Sequence, residues 1–185
     1  MKTPAALIVA LLCGAVGCSL EPAPPKDIPP APTPAEGSNR GRIGDSIRLE
    51  GGALAMRVSV VGVIDSVPVG PSDATVDPGA RFVGVEIELE NLGPDAYEGS
   101  PLGGASLRTD NGREADPVTL LDGPCAGGFA SHVKIPPGQK RGGCLAFEVG
   151  PGRRANAFLF ALDSGFAEEV GTWKLTKQPL AAPAP

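Results

Sequence analysis

Between Arg81 and Glu90 the chain alternates with a period of two. Val83, Val85, Ile87 and Leu89 fall on one side; Gly84, Glu86, Glu88 and Glu90 fall on the other. Successive side chains of a β-strand point to opposite faces, so this segment predicts a strand with one dry and one wet face. A strand of that kind requires a second layer to cover its apolar side. Asn91-Leu92-Gly93-Pro94 follows with turn-forming residues.

The same pattern recurs along the chain. Ser46 to Glu50 precedes a segment in which Met56, Val58 and Val60 alternate with Arg57 and Ser59. Ser106-Leu107-Arg108 runs into Asp110-Asn111-Gly112, whose Asn-Gly pair suits a type I′ hairpin. Leu145, Phe147 and Val149 alternate again, and Phe158–Ala161 and Gly171–Leu175 close the series. No helical period interrupts it. The predicted fold is all-β: an antiparallel β-sandwich of about seven strands spanning residues 43–177.

An ordered set of landmarks links these strands to a family. It runs from Ile43-Gly44-Asp45-Ser46 through Phe82–Gly93 and Asp110-Asn111-Gly112-Arg113. It continues with Ile135-Pro136-Pro137-Gly138-Gln139 and Cys144–Val149. The pattern resembles the telokin-like, immunoglobulin-type extracellular domain of unknown function found in Gram-positive, notably actinobacterial, lipoproteins. It is also similar to small secreted immunoglobulin-like mycobacterial antigens. The resemblance covers residues 43–176 and implies a β-sandwich at the cell surface, with no catalytic residues to transfer. The cysteine–tryptophan–cysteine order of antibody domains is absent, because Trp173 follows both Cys125 and Cys144.

The N-terminus carries an export pattern. Lys2 is followed by an uncharged, mostly apolar run from Ala5 to Val16, which is too short to span a bilayer. Ala15-Val16-Gly17-Cys18 resembles a bacterial lipobox, in which the cysteine thiol receives a diacylglycerol group. This predicts a lipoprotein signal peptide over 1–17, with lipidation at Cys18 and the membrane as a partner through that anchor. Cys13 follows the bulky Leu12 and is expected to leave with the signal. Seven prolines between Pro22 and Pro34 rule out propagating helix or sheet and predict a disordered tether within residues 18–42. In polyproline II form its 22 residues from Ser19 to Arg40 reach roughly 60–70 Å. Residues 178–185 are expected to be a disordered tail.

Composition removes several kinds of chemistry. With 16 Lys+Arg against 21 Asp+Glu and no basic block, nothing points to a nucleic-acid partner. One histidine, His132, leaves no multi-histidine metal site, and Cys125, His132 and Cys144 lack the spacing of a zinc site. Cys125 and Cys144 are the pair left after signal removal and lipidation, and an exported chain favours joining them. Closing that loop is worth roughly 3 kcal/mol. Ser131 next to His132 lacks a nucleophile turn, and Asp110-Asn111-Gly112 lacks an acidic ligand at the twelfth calcium-loop position, where Leu121 stands. Glu86, Glu88 and Glu90 form an acidic stripe suited to solubility or to a basic partner.

The expectation is a lipid-anchored, non-catalytic module on the outer face of the plasma membrane, with no cofactor or metal. Its partner is a protein or an envelope component, met by the loops Pro94–Pro101 and Asp122–Val133. The alternative is a lipoprotein that captures a small ligand for a transporter or sensor. The six Phe, one Trp and one Tyr make an aromatic-lined pocket a poor expectation.

Overall fold

The computed structural model describes residues 38–176 apart from 72, 74–76 and 130. The signal segment 1–17, Cys18, the proline-rich stretch up to 37 and the tail from 177 lie outside the described residues. Twelve strands follow one another in the described chain. The first six are β1 (Arg40–Arg42), β2 (Ser46–Gly51), β3 (Leu54–Val67), β4 (Arg81–Asn91), β5 (Tyr97–Gly99) and β6 (Ala105–Thr109). The remainder are β7 (Glu114–Ala115), β8 (Pro117–Val118), β9 (Val133–Ile135), β10 (Lys140–Val149), β11 (Ala155–Ala161) and β12 (Val170–Lys174). No α-helix occurs among the described residues; a single 3₁₀ turn spans Asp163–Gly165. The seven strands of five residues or more (β2, β3, β4, β6, β10, β11 and β12) overlap the seven alternating segments of the sequence.

One five-stranded sheet runs β2-β3-β4-β10-β8, a second runs β1-β12-β11-β6-β7, and β5 pairs with β9 in a separate ribbon. The pairs are antiparallel except β1 with β12, which is parallel. The two larger sheets face each other across one core. Val83, Val85, Ile87 and Leu89 supply the inward face of β4; Leu107, Phe158, Phe160 and Trp173 come from the opposing sheet, all fully buried. Phe158 sits edge-on to Phe147, with centroids 6.1 Å apart, and 5.8 Å from Trp173. Trp173 keeps its polar handle satisfied by donating Nε1–H to the carbonyl oxygen of Asp45 at 3.0 Å. The chain is an immunoglobulin-like β-sandwich.

Three local departures from the sequence expectation have physical causes. The sandwich begins at β1, before residue 43, because Gly41 lets the strand lie against Trp173. A Cβ at that position would come within 3.1 Å of the indole. The Arg-Gly-Arg of β1 carries no apolar signal, so sequence patterning passes over it. The Asn111-Gly112 turn is not type I′, which needs positive φ at both central residues. Only Gly112 has it (φ 83°). Gly112 N–H donates to Thr109 O, and Thr109 N–H donates to Arg113 O, giving a three-residue hairpin loop with glycine in the left-handed position. Last, Phe82 and Gly84 on the outer side of β4 are buried, whereas Glu86 on that side is exposed.

Asn91 is one of two buried polar residues among those described, with Thr109. Its side-chain amide donates to Asp95 O and Ile135 O, both at 2.8 Å, and its side-chain oxygen accepts from Gly93 N–H at 2.9 Å. One residue therefore ties the end of β4 to the strand before β10. Asn91→Ala leaves a buried carbonyl without its donor, and should lower unfolding free energy by about 1–3 kcal/mol in urea denaturation. A variant as stable as the parent would show that these bonds do not hold the junction.

Candidate functional site

The outer face of β4 and β10 is divided in two. At one end, charge keeps it wet. Glu90 stands in register between Arg57 and Lys140, and Arg57 bonds it at 2.5 Å. Lys140 reaches Glu88 at 2.9 Å and Glu90 at 3.6 Å, and these carboxylates hold its ammonium above the usual lysine range, Glu88 foremost. The acidic stripe foreseen in the sequence is thus largely answered from within the sheet. Among the described residues no group of three or more His, Cys, Asp or Glu is placed to hold a metal.

At the other end the face is dry, because a crossing segment covers it. After β8 the chain passes over β4 and β10. Leu120 is buried with Val67, Phe82 and Ala146 in a second small apolar cluster. Cys125 and Cys144 form a disulfide with their Cα atoms 4.9 Å apart, within this cluster. The bridge lies directly on the backbone of β4. A Cβ at Gly84 would meet Cys125 Sγ at 2.7 Å and Cys144 Sγ at 3.0 Å. Beyond the bridge the backbones of Gly128 and Gly143 touch. A Cβ at Gly128 would fall 2.2 Å from Cys144 O, and one at Gly143 would fall 2.3 Å from Gly128 O. Phe129 then turns inward and joins the main core.

A third fastening comes from the β3–β4 connection. The Asp73 carboxylate accepts from Gly70 N–H at 2.9 Å, Leu121 N–H at 2.5 Å and Asp122 N–H at 3.4 Å. These backbone donors, Gly70 first and Leu121 next, hold its pKa below the ordinary aspartate value. Gly70 permits the approach, since a Cβ there would lie 2.2 Å from Asp122.

The two loops expected to form a surface are brought together by the ribbon. Glu98 of β5 lies opposite Lys134 of β9, and the two form an ion pair that holds the Glu98 carboxyl below its usual range. Much of each loop serves the core instead: Tyr97, Pro101, Cys125, Phe129 and Val133 are buried. Burial, with a contribution from Asp163, raises the Tyr97 phenol pKa. What remains exposed includes Pro94, Asp95, Glu98, Gly123, Pro124, Ser131 and His132. Leu121 adds an apolar contact, 64% exposed beside the buried Leu120. Ser131 and His132 are neighbours on the exposed surface. The crossing segment, residues 120–129, forms a flap over a recess of about 20 Å³.

Sequence patterning passes over a second feature, on the outer face of the other sheet. Arg40, Arg42, Arg108 and Lys174 border an open cleft of about 480 Å³. They come from β1, β6 and β12, so no linear motif announces them.

The comparisons follow the fold. No protein-family model matches the sequence, and no curated protein matches it. Solved structures do. MPT63, a secreted protein of Mycobacterium tuberculosis, matches at TM-score 0.55 and 14% identity, over 73% of this chain and 95% of its own. The ycdA protein of Bacillus subtilis, a candidate lipoprotein, matches at TM-score 0.53 and 15% identity over 68% of this chain but 37% of its own. The yjhA protein of the same species gives 0.50 at 18% identity, over 74% and 99%. The likeness is one of fold. These are bacterial β-sandwich domains, two of them described as a secreted protein and a candidate lipoprotein.

Two outcomes test this face. Gly84→Ala should cost about 1–3 kcal/mol by overpacking the bridge against β4, read by thermal or urea unfolding. Unchanged stability would mean that the bridge does not lie on the strand. Asp73 has a depressed folded-state pKa, so its contribution is present above the ordinary aspartate value, about pH 4, and is lost as pH falls through the lower folded value. The Leu121 amide resonance should report that transition, and Asp73→Asn should abolish it. A Leu121 amide titrating at the ordinary aspartate midpoint would contradict the fastening.

Proposed function

We propose that the chain is an extracytoplasmic lipoprotein, held on the outer face of the plasma membrane through Cys18. Its sandwich is a non-catalytic interaction module of the telokin-like immunoglobulin type, for a protein or envelope partner. The observation that carries this proposal is the Cys125–Cys144 bridge on the flap, because such bonds persist in oxidising compartments outside the cytosol. The Ala15-Val16-Gly17-Cys18 sequence supports the anchor. The fold likeness to secreted MPT63 and to ycdA supports the location. The core between the sheets is filled by close-packed aromatic and aliphatic side chains, which favours a partner at the surface over a captured ligand inside. The ribbon and the flap, with Leu121 turned outward, present that surface on rigid supports.

Metabolic labelling with a fatty acid tests the anchor. Label is expected on the parent and absent from Cys18→Ala, and label retained by the variant would overturn it.

A further inference from the structure

We infer that the cleft on the outer face of the β1-β12-β11-β6-β7 sheet is a binding site for a phosphate group. The inference goes beyond the interaction surface proposed above: it concerns the opposite sheet and does not depend on Cys18 being lipidated.

Register builds the site. Arg42 pairs with Lys174, Lys174 with Ala157, and Ala157 with Arg108. Directly opposed residues share a face of a sheet, so these side chains form one row across four strands. Ala157, the smallest of them, forms the floor, with Lys174 and Arg108 on either side. One intervening strand sets their backbones roughly 10 Å apart. A parallel row adds Arg40 opposite Thr172. The β-bulge between Ala155 and Ala157 leaves Asn156 at the rim as a further hydrogen-bonding group.

Charge argues for an anion. The chain carries a formal net charge of −5, yet four cations border this single cleft. The acid among its lining residues, Asp45, turns its carboxylate to Arg42 N–H at 2.9 Å. Arg108 is steadied from the flank by Glu114 at 2.6 Å. Arg40 and Lys174 form no ion pair among the described residues, in contrast to Arg57 and Lys140 on the other sheet. Several guanidinium groups and an ammonium around a small floor suit the tetrahedral oxygens of a phosphate, which accept charge-assisted hydrogen bonds from both kinds of donor.

The test uses the full chain, isotopically labelled, in zwitterionic detergent micelles. Glycerol 3-phosphate is titrated first; then the micelles are exchanged for mixed micelles containing phosphatidylglycerol. Saturable amide shifts confined to Gly41, Asn156, Ala157, Thr172 and Lys174 are expected, weakening as salt is added. Shifts with glycerol 3-phosphate assign a soluble phosphate source, and shifts with phosphatidylglycerol alone assign a lipid headgroup. Arg40→Gln with Lys174→Gln should weaken the response about tenfold or more. The residue-by-residue map of the parent protein stands without that variant. The proposal is overturned if neither probe shifts the cleft, if the response survives the double substitution, or if it is equal at Arg48 and Arg57 on the opposite sheet.

Discussion

Contact between the Cys125–Cys144 bridge and the backbone of β4 at Gly84 is the constraint on which the character of this sandwich depends. A strand in the middle of a sheet buries its inner face as a matter of course. Here the outer face must also be dry at one end and wet at the other, within a few residues. Glycine at 84 removes the side chain that would hold the sulfurs away, and Phe82, Val67 and Ala146 supply apolar ground around them. Four residues further on, Glu88 requires water and Lys140. The boundary between the two regimes falls at Glu86, which is exposed.

From that contact the flap acquires its form. The bridge pins its middle, Leu120 anchors one side, and Phe129 carries the other side around β10 into the core. Asp73 holds the crossing backbone through amide donors that would otherwise face water. Burial of alternate residues leaves the others outward, so Leu121 is exposed because Leu120 is anchored. The opposite sheet shows the complementary use of a flat face. Among the described residues no segment crosses the cleft, and long cations from three strands stand around Ala157 and concentrate positive charge in an acidic protein.

Period-two patterning makes the main strands legible because β2, β12 and the second half of β4 alternate between core and solvent. It is silent on β1 and on the start of β10, where Gly41 and Gly143 let a ring or another backbone approach. It assigned Gly84 to a wet face, since nothing local distinguishes a glycine facing water from one beneath a disulfide. The two surface loops were recognisable by composition, but their pairing as β5 and β9 was not, because three-residue strands carry no period. The basic cleft was least legible of all. Its residues are spread from Arg40 to Lys174, and only sheet register makes them neighbours.

Native-state hydrogen exchange before and after mild reduction tests most directly whether the flap is a separately fastened element on a self-sufficient sandwich. The account predicts that reduction strips protection from the amides between Leu120 and Phe129 and from Gly84, while Val58, Ile87, Phe158 and Trp173 keep theirs. Simultaneous loss of protection throughout, or no change in the flap, would contradict it.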